Sequence, residues 1–163
     1  GNVAYAPVMF SRGCPYKCHY CHISKEVEGS LGGNTRKYRM KSINRIIKEL
    51  KILKNLGVKY VFIEDDSLLA KKERAKEIFS KVKELGLQLA DVNGINLAHL
   101  CTKVDGKLGV DVSLMESMAE AGFKRLQYPV ESASQRILDK YATGKLNFHL
   151  YQNQSQDLHF DNF

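Results

Sequence analysis

No apolar run in this chain approaches the length of a membrane span, and its first residues lack the basic-then-apolar pattern of a secretory signal. Cysteine is scarce, with four in 163 residues. Three of the four crowd together as Cys14, Cys18 and Cys21, and Cys101 stands far off. Three clustered thiols cannot pair off, which argues against a disulfide framework. Acidic side chains are outnumbered, 18 against 25 Lys and Arg, for a net charge of +7 and a pI near 9.2. That balance suits an anionic partner such as RNA, or an acidic electron donor of the flavodoxin or ferredoxin kind. Most lysines nevertheless fall on polar faces of predicted helices (Lys48, Lys51, Lys54, Lys71, Lys72, Lys76, Lys81, Lys83). No basic stretch is interleaved with aromatics as in a single-strand binding groove, so nucleic-acid contact is not the favoured reading.

What is present reads as an ordinary globular chain. Apolar residues make up 44% and charged ones 26%, and the length suits one domain with a sizeable core. Clustered thiols that are not disulfides point to a reducing, cytoplasmic compartment. Gly1 in place of a methionine reads as the start of a fragment. The strand–helix alternation is plain. Val3 to Phe10 is a strand, and the cysteine loop leaves its end; Glu26 to Tyr38, rich in glycine, is a loop. Ser42 caps a helix carrying Ile43, Ile46, Ile47, Leu50 and Leu53, which Gly57 ends. Val58 to Ile63 is an unbroken apolar run that reads as a strand buried on both faces. Glu64, Asp65 and Asp66 follow it.

A second helix bears Ala75, Ile78, Phe79, Val82 and Leu85 and stops at Gly86. Leu87 to Leu97 contains a third strand, interrupted at Asn93-Gly94. Thr102 to Val110 is expected as a loop with a turn at Asp105-Gly106. Asp111 caps a third helix, Phe123 to Val130 is a fourth strand, and Ser132 to Gln135 has capping-box spacing before a last helix that stops at Gly144. Four strand–helix units predict an α/β fold with parallel strands. Ligands of such folds lie at the C-terminal strand ends, where the polar residues of this chain collect.

The cysteines carry the chemistry. Cys14, Cys18 and Cys21 are spaced C-x3-C-x2-C, short enough to wrap one small inorganic centre. On spacing alone, two centres remain open: an iron–sulfur cluster with one iron left without a protein ligand, or a Cys3His zinc site completed by His19 or His22.

A strand followed by Cys14, Cys18, Tyr20 and Cys21 in this order resembles the signature of the radical S-adenosylmethionine (SAM) superfamily. The surrounding Ser11-Arg12-Gly13-Cys14-Pro15 resembles the branch with cobalamin-binding members and tRNA methylthiotransferases. The resemblance implies an open (β/α)6 barrel, of which about four units are present in residues 1–146, followed by an irregular tail at 147–163. It implies a 4Fe–4S cluster on the three cysteines and SAM at the open iron, cleaved reductively to a 5′-deoxyadenosyl radical. Cobalamin would come from a domain outside this chain, and the outcome would be a methylation. The alternatives are a methylthiotransferase-like enzyme or a zinc-stabilised binding module without catalysis. By the same resemblance, Asp65 and Asp66 meet the SAM ammonium, Glu131 and Ser132 reach the ribose, and Tyr20 lies near the adenine. Lys140 to Leu146 also resembles family wording, with no chemistry attached to it.

Overall fold

The computed structural model describes residues 4–25, 38–104 and 107–142. Expectations for the 26–37 loop, the Asp105-Gly106 turn and the tail lie outside the described residues. Four strands, β1 (Tyr5–Val8), β4 (Tyr60–Ile63), β5 (Gln88–Asp91) and β8 (Phe123–Arg125), form one parallel sheet in that order. Two small antiparallel pairs complete the strands: β2 (Ser11–Arg12) with β3 (Arg39–Met40), and β6 (Cys101–Val104) with β7 (Lys107–Val110). Helices α2 (Ile43–Asn55), α3 (Lys72–Lys83) and α4 (Val112–Glu120) connect successive strands, α1 is one turn at His22–Lys25, and α5 spans Gln135–Tyr141. The expected parallel α/β architecture is present. None of these helices is long and apolar enough to cross a membrane.

One apolar seam holds the layers together. Ile46 and Leu50 of α2, Ile78 and Phe79 of α3, and Leu114 and Met118 of α4 are at most 1% exposed, packed with Val61, Ile63 and Leu89. Burial of such side chains contributes roughly 1.5–3 kcal/mol each. Exposed i,i+4 ion pairs such as Arg45–Glu49 contribute a few tenths. Apolar burial decides the packing. The caps fall as expected at two helices: Ser42 Oγ accepts from Arg45 N at 3.3 Å, and Asp111 Oδ1 accepts from Leu114 N at 3.1 Å.

Several expectations need correction. β4 is not buried on both faces: Val61 and Ile63 are enclosed beneath the helices, but Tyr60 and Phe62 are only half-buried. The 102–110 segment is not simply a loop, because Cys101 to Val104 and Lys107 to Val110 pair as antiparallel strands. β8 ends at Arg125, and the chain continues to Ser134 without regular structure. The capping box does not form. Ser134 occupies the cap position of α5, Ser132 Oγ accepts from Ser134 N, and Gln135 turns to Asp139.

Gly122, at φ +98, joins α4 to β8 where a Cβ would stand 2.3 Å from the Leu87 carbonyl oxygen. Neither backbone can retreat without breaking the β5–β8 pairing. Gly122→Ala is therefore expected to cost roughly 3 kcal/mol or more, read as a drop of about 10 °C in Tm. An unchanged melting curve would show that the α4–β8 connection is looser than this geometry.

Candidate cofactor site

Two consecutive aspartates build the entrance to the cysteine loop. Asp65, just beyond β4, is 1% exposed. Its Oδ1 accepts from Phe10 N at 2.7 Å and its Oδ2 from the Ser11 hydroxyl. Asp66 Oδ2 accepts from Gly13 N at 2.7 Å. Neither aspartate caps the following helix, since α3 starts after Lys71. Burial pushes the Asp65 carboxyl above its ordinary range, while the bonds from Ser11 and Phe10 and the nearby Arg74 guanidinium pull the other way. Arg74 also donates to the carbonyls of Lys41 (2.6 Å) and Phe10 (3.3 Å), fastening the loop's base from a second side.

α5 holds the far side of the loop. Leu138 and Ala142 bury against Cys18 in a small second core, with Tyr16 and Cys21 at its margin. His19 N donates to the Tyr141 carbonyl at 2.8 Å, and the two rings meet edge to face at 5.9 Å. The part of the Lys140–Leu146 stretch that is described, residues 140–142, thus has a structural task as a brace for the cysteines.

Between these supports lies an open cavity of about 310 Å³. Six of the eight residues singled out from the sequence line it: Cys14, Cys18, Cys21, Tyr20, Asp66 and Glu131. Asp65 sits behind the loop and Ser132 in the turn before α5; neither lines the cavity. Glu131 is the only non-glycine residue at positive φ (65°) among the described residues, a strained position that turns the chain after Val130. Burial, and after it the Glu131 carboxylate, pushes the Tyr20 hydroxyl above its usual range.

None of the cysteines is in a disulfide. Burial raises the Cys14 thiol above its usual range, opposed by hydrogen bonds from Tyr16 and Ser67, and Cys18 and Cys21 raise it further. Three thiols on one loop lining a single cavity are soft donors that a cationic centre would bind in their deprotonated form. The donor set therefore fits a metal cluster. Among the described residues, no three His, Cys, Asp or Glu side chains, the loop thiols included, stand close enough to share a single ion.

Sequence reading missed part of the wall. Tyr16, Asn96 and His99 also line the cavity, and Tyr16 Oη meets His99 Nε2 at 2.5 Å. No motif marks His99; the Asn96-capped turn and the burial of Leu100 place it there. Asp91, at the end of β5, was also unmarked. It is fully buried; its Oδ2 accepts from Gly94 N at 2.8 Å, and Oδ1 lacks a well-formed hydrogen bond among the described residues. Gly94 is at φ +94 with Pro129 where a Cβ would go, so the two rim segments are in direct contact.

Burial lifts the Asp91 carboxyl to about 6, against bonds from Gly94 and Gln127, with the Asp65 charge adding to the rise. A raised acid pKa means the folded protein holds a proton that the unfolded chain releases. Stability should therefore fall as pH rises from about 4 to 6 and stay lower above that. Asp91→Asn is expected to remove roughly 1–2 kcal/mol of that dependence. Urea unfolding at pH 5 and pH 7.5 measures it, and identical slopes against pH in both proteins would exclude Asp91 as the source.

Thiols on the loop after the first strand of a parallel sheet, facing polar groups from three further strand ends, define a cofactor-binding α/β protein of the cluster type. The profile of the radical SAM superfamily matches residues 8–151, and the chain belongs to that superfamily. An uncharacterized methyltransferase of Pyrococcus horikoshii is 30% identical over 144 residues, 88% of this chain and 28% of its own length. Cytidylyl-2-hydroxyethylphosphonate methyltransferase of Streptomyces wedmorensis is 28% identical over 84% of this chain and 23% of its own. This chain thus spans about a quarter of these relatives. Among solved structures, the radical SAM methyltransferase TsrM of Kitasatospora setae, with cobalamin and a [4Fe-4S] cluster bound, superposes with a TM-score of 0.68. Identity is 13%, over 93% of this chain and 28% of TsrM. The likeness confirms the fold expected from the strand–helix order.

Proposed function

We propose that this chain is the core of a radical SAM methyltransferase, holding a 4Fe–4S cluster on Cys14, Cys18 and Cys21 with SAM beside it. The observation that carries the reading is the convergence of the three thiols with Tyr20, Asp66 and Glu131 on one cavity at the C-terminal edge of the sheet. When bound, the cluster supplies the electron for reductive cleavage of the SAM sulfonium. The chain's own residues position the reactants. Asp66 accepts hydrogen bonds from the SAM ammonium while keeping its bond to Gly13 N. Tyr20 would face the adenine and Glu131 the ribose hydroxyls, while Ser132 holds the turn behind Glu131 through Ser134 N. Asp65 acts from behind, holding Phe10 and Ser11 so that the loop keeps its shape. Methyl transfer is supported by the names of the relatives, and cobalamin by its presence in TsrM; it would be bound outside this chain. The electron comes from an acidic flavodoxin- or ferredoxin-like donor, which the +7 charge favours.

Anaerobic reconstitution with iron and sulfide, followed by EPR of the reduced protein, tests the reading. A 4Fe–4S signal that changes shape on adding SAM is the expected result. Stoichiometric zinc with no cluster would overturn it.

A further inference from the structure

The Tyr16–His99 contact has no place in the scheme above. Tyr16 lies two residues from both Cys14 and Cys18, at the middle of the loop, and no hydrogen bond from Asp65 or Asp66 reaches that far. Its hydroxyl meets His99 Nε2 at 2.5 Å, and the two rings are tilted by 30° with centroids 5.5 Å apart. His99 is 8% exposed and sits on a one-turn 3-10 helix, Leu97–Leu100. Asn96 caps that turn through Ala98 N at 3.1 Å, His99 N donates to the Asn96 carbonyl at 2.8 Å, Leu100 is buried in the main core, and Asp111 N donates to the Leu100 carbonyl at 2.7 Å. A turn tied to the core and to the α4 cap thus presents an imidazole to the centre of the loop, on Tyr16, which also packs at the margin of the small core under α5.

We propose that His99 is a positioning residue for the cysteine loop, acting through Tyr16 to set the separation and surroundings of Cys14 and Cys18. The loop is then held at three places: its entrance by Asp65 and Asp66, its exit by α5, and its middle by His99. Three-point attachment matters because a loop pinned only at its ends can bow, and donors must be held within about half an ångström of productive geometry to bind a centre well. The outer partner of a ligand-bearing segment tunes a bound centre as well as placing it. The inference deepens the cluster reading and rests on it for the tuning; the clamp itself can be measured without any cluster.

The test uses Tyr16→Phe, His99→Phe, the double variant and His99→Gln in the full chain. In the reduced, metal-free protein, alkylation rates of the loop thiols report loop opening. Each single variant is expected to raise them roughly five- to tenfold, the equivalent of one net hydrogen bond. The double variant should be no faster than either single, because both remove the same contact, and His99→Gln should recover part of the protection. In the reconstituted protein, the cluster's midpoint potential should shift in the same direction and by the same amount in Tyr16→Phe and His99→Phe. Additive effects, or thiols as protected as in the wild type, would overturn the clamp; unequal potential shifts would overturn the tuning. If His99→Phe fails to fold, Tyr16→Phe still decides, since it removes one oxygen from a half-buried ring. If the wild type takes up no cluster, the cluster reading fails while the alkylation result still stands or falls alone.

Discussion

Asp65→Ala is expected to leave a folded protein that no longer takes up iron. Removal of the carboxylate orphans the Phe10 N–H and the Ser11 hydroxyl in a place that is 1% exposed. Each unsatisfied buried donor costs about 1–3 kcal/mol, so a loss of roughly 3–5 kcal/mol is expected, offset in small part by the relieved burial of the charge. Asp65 is not part of the apolar seam that holds α2, α3 and α4, so far-UV circular dichroism should be nearly unchanged at low temperature. Iron and sulfide content after reconstitution should fall to a small fraction of the wild type. Asp66→Ala provides the contrast. It removes a single bond to Gly13 N at the cavity's edge, so stability should drop by only about 1 kcal/mol and the cluster should form, but its EPR signal should respond weakly to SAM. If Asp65→Ala loads iron normally, the loop is held by something other than this carboxylate.

Cys14→Ala, Cys18→Ala and Cys21→Ala should each reduce bound iron from about four per chain to near zero, whereas Cys101→Ala should retain it. Cys101 is half-buried on β6 and donates to the Leu97 carbonyl, and it does not line the cavity. The three loop variants should differ in stability. Cys18 is 7% exposed beneath Leu138 and Ala142, so its truncation opens a small void and costs roughly 1 kcal/mol. Cys14 and Cys21 are less enclosed and should cost less. Iron analysis with thermal melts of the four variants measures both effects. Iron retained in any of the three loop variants would remove that cysteine from the ligand set.

Much of the fold was legible because its signals are local. Ser42 and Asp111 announce helix starts through one side-chain bond each, and the apolar residues of α2 and α3 recur at the spacing that puts them on one face. Errors arose where pairing across the chain decided the outcome. Thr102 to Val110 read as a loop because a short hairpin has little pattern of its own until its two arms meet. Ser132 to Gln135 satisfied the capping-box spacing, yet the turn following Glu131 at positive φ shifted the cap to Ser134.

By itself the sequence determined the cysteine spacing, the strand–helix order and hence the rim on which the polar residues gather, since these depend on neighbours within a few positions. Only the tertiary structure decided the division of labour at that rim. Asp65 and Asp66 are adjacent and alike in sequence, but successive residues leave a strand end in different directions. One is enclosed behind the loop and the other reaches the cavity. His99 is 83 residues from the tyrosine it meets, a contact that exists only after the sheet has brought the two loops together.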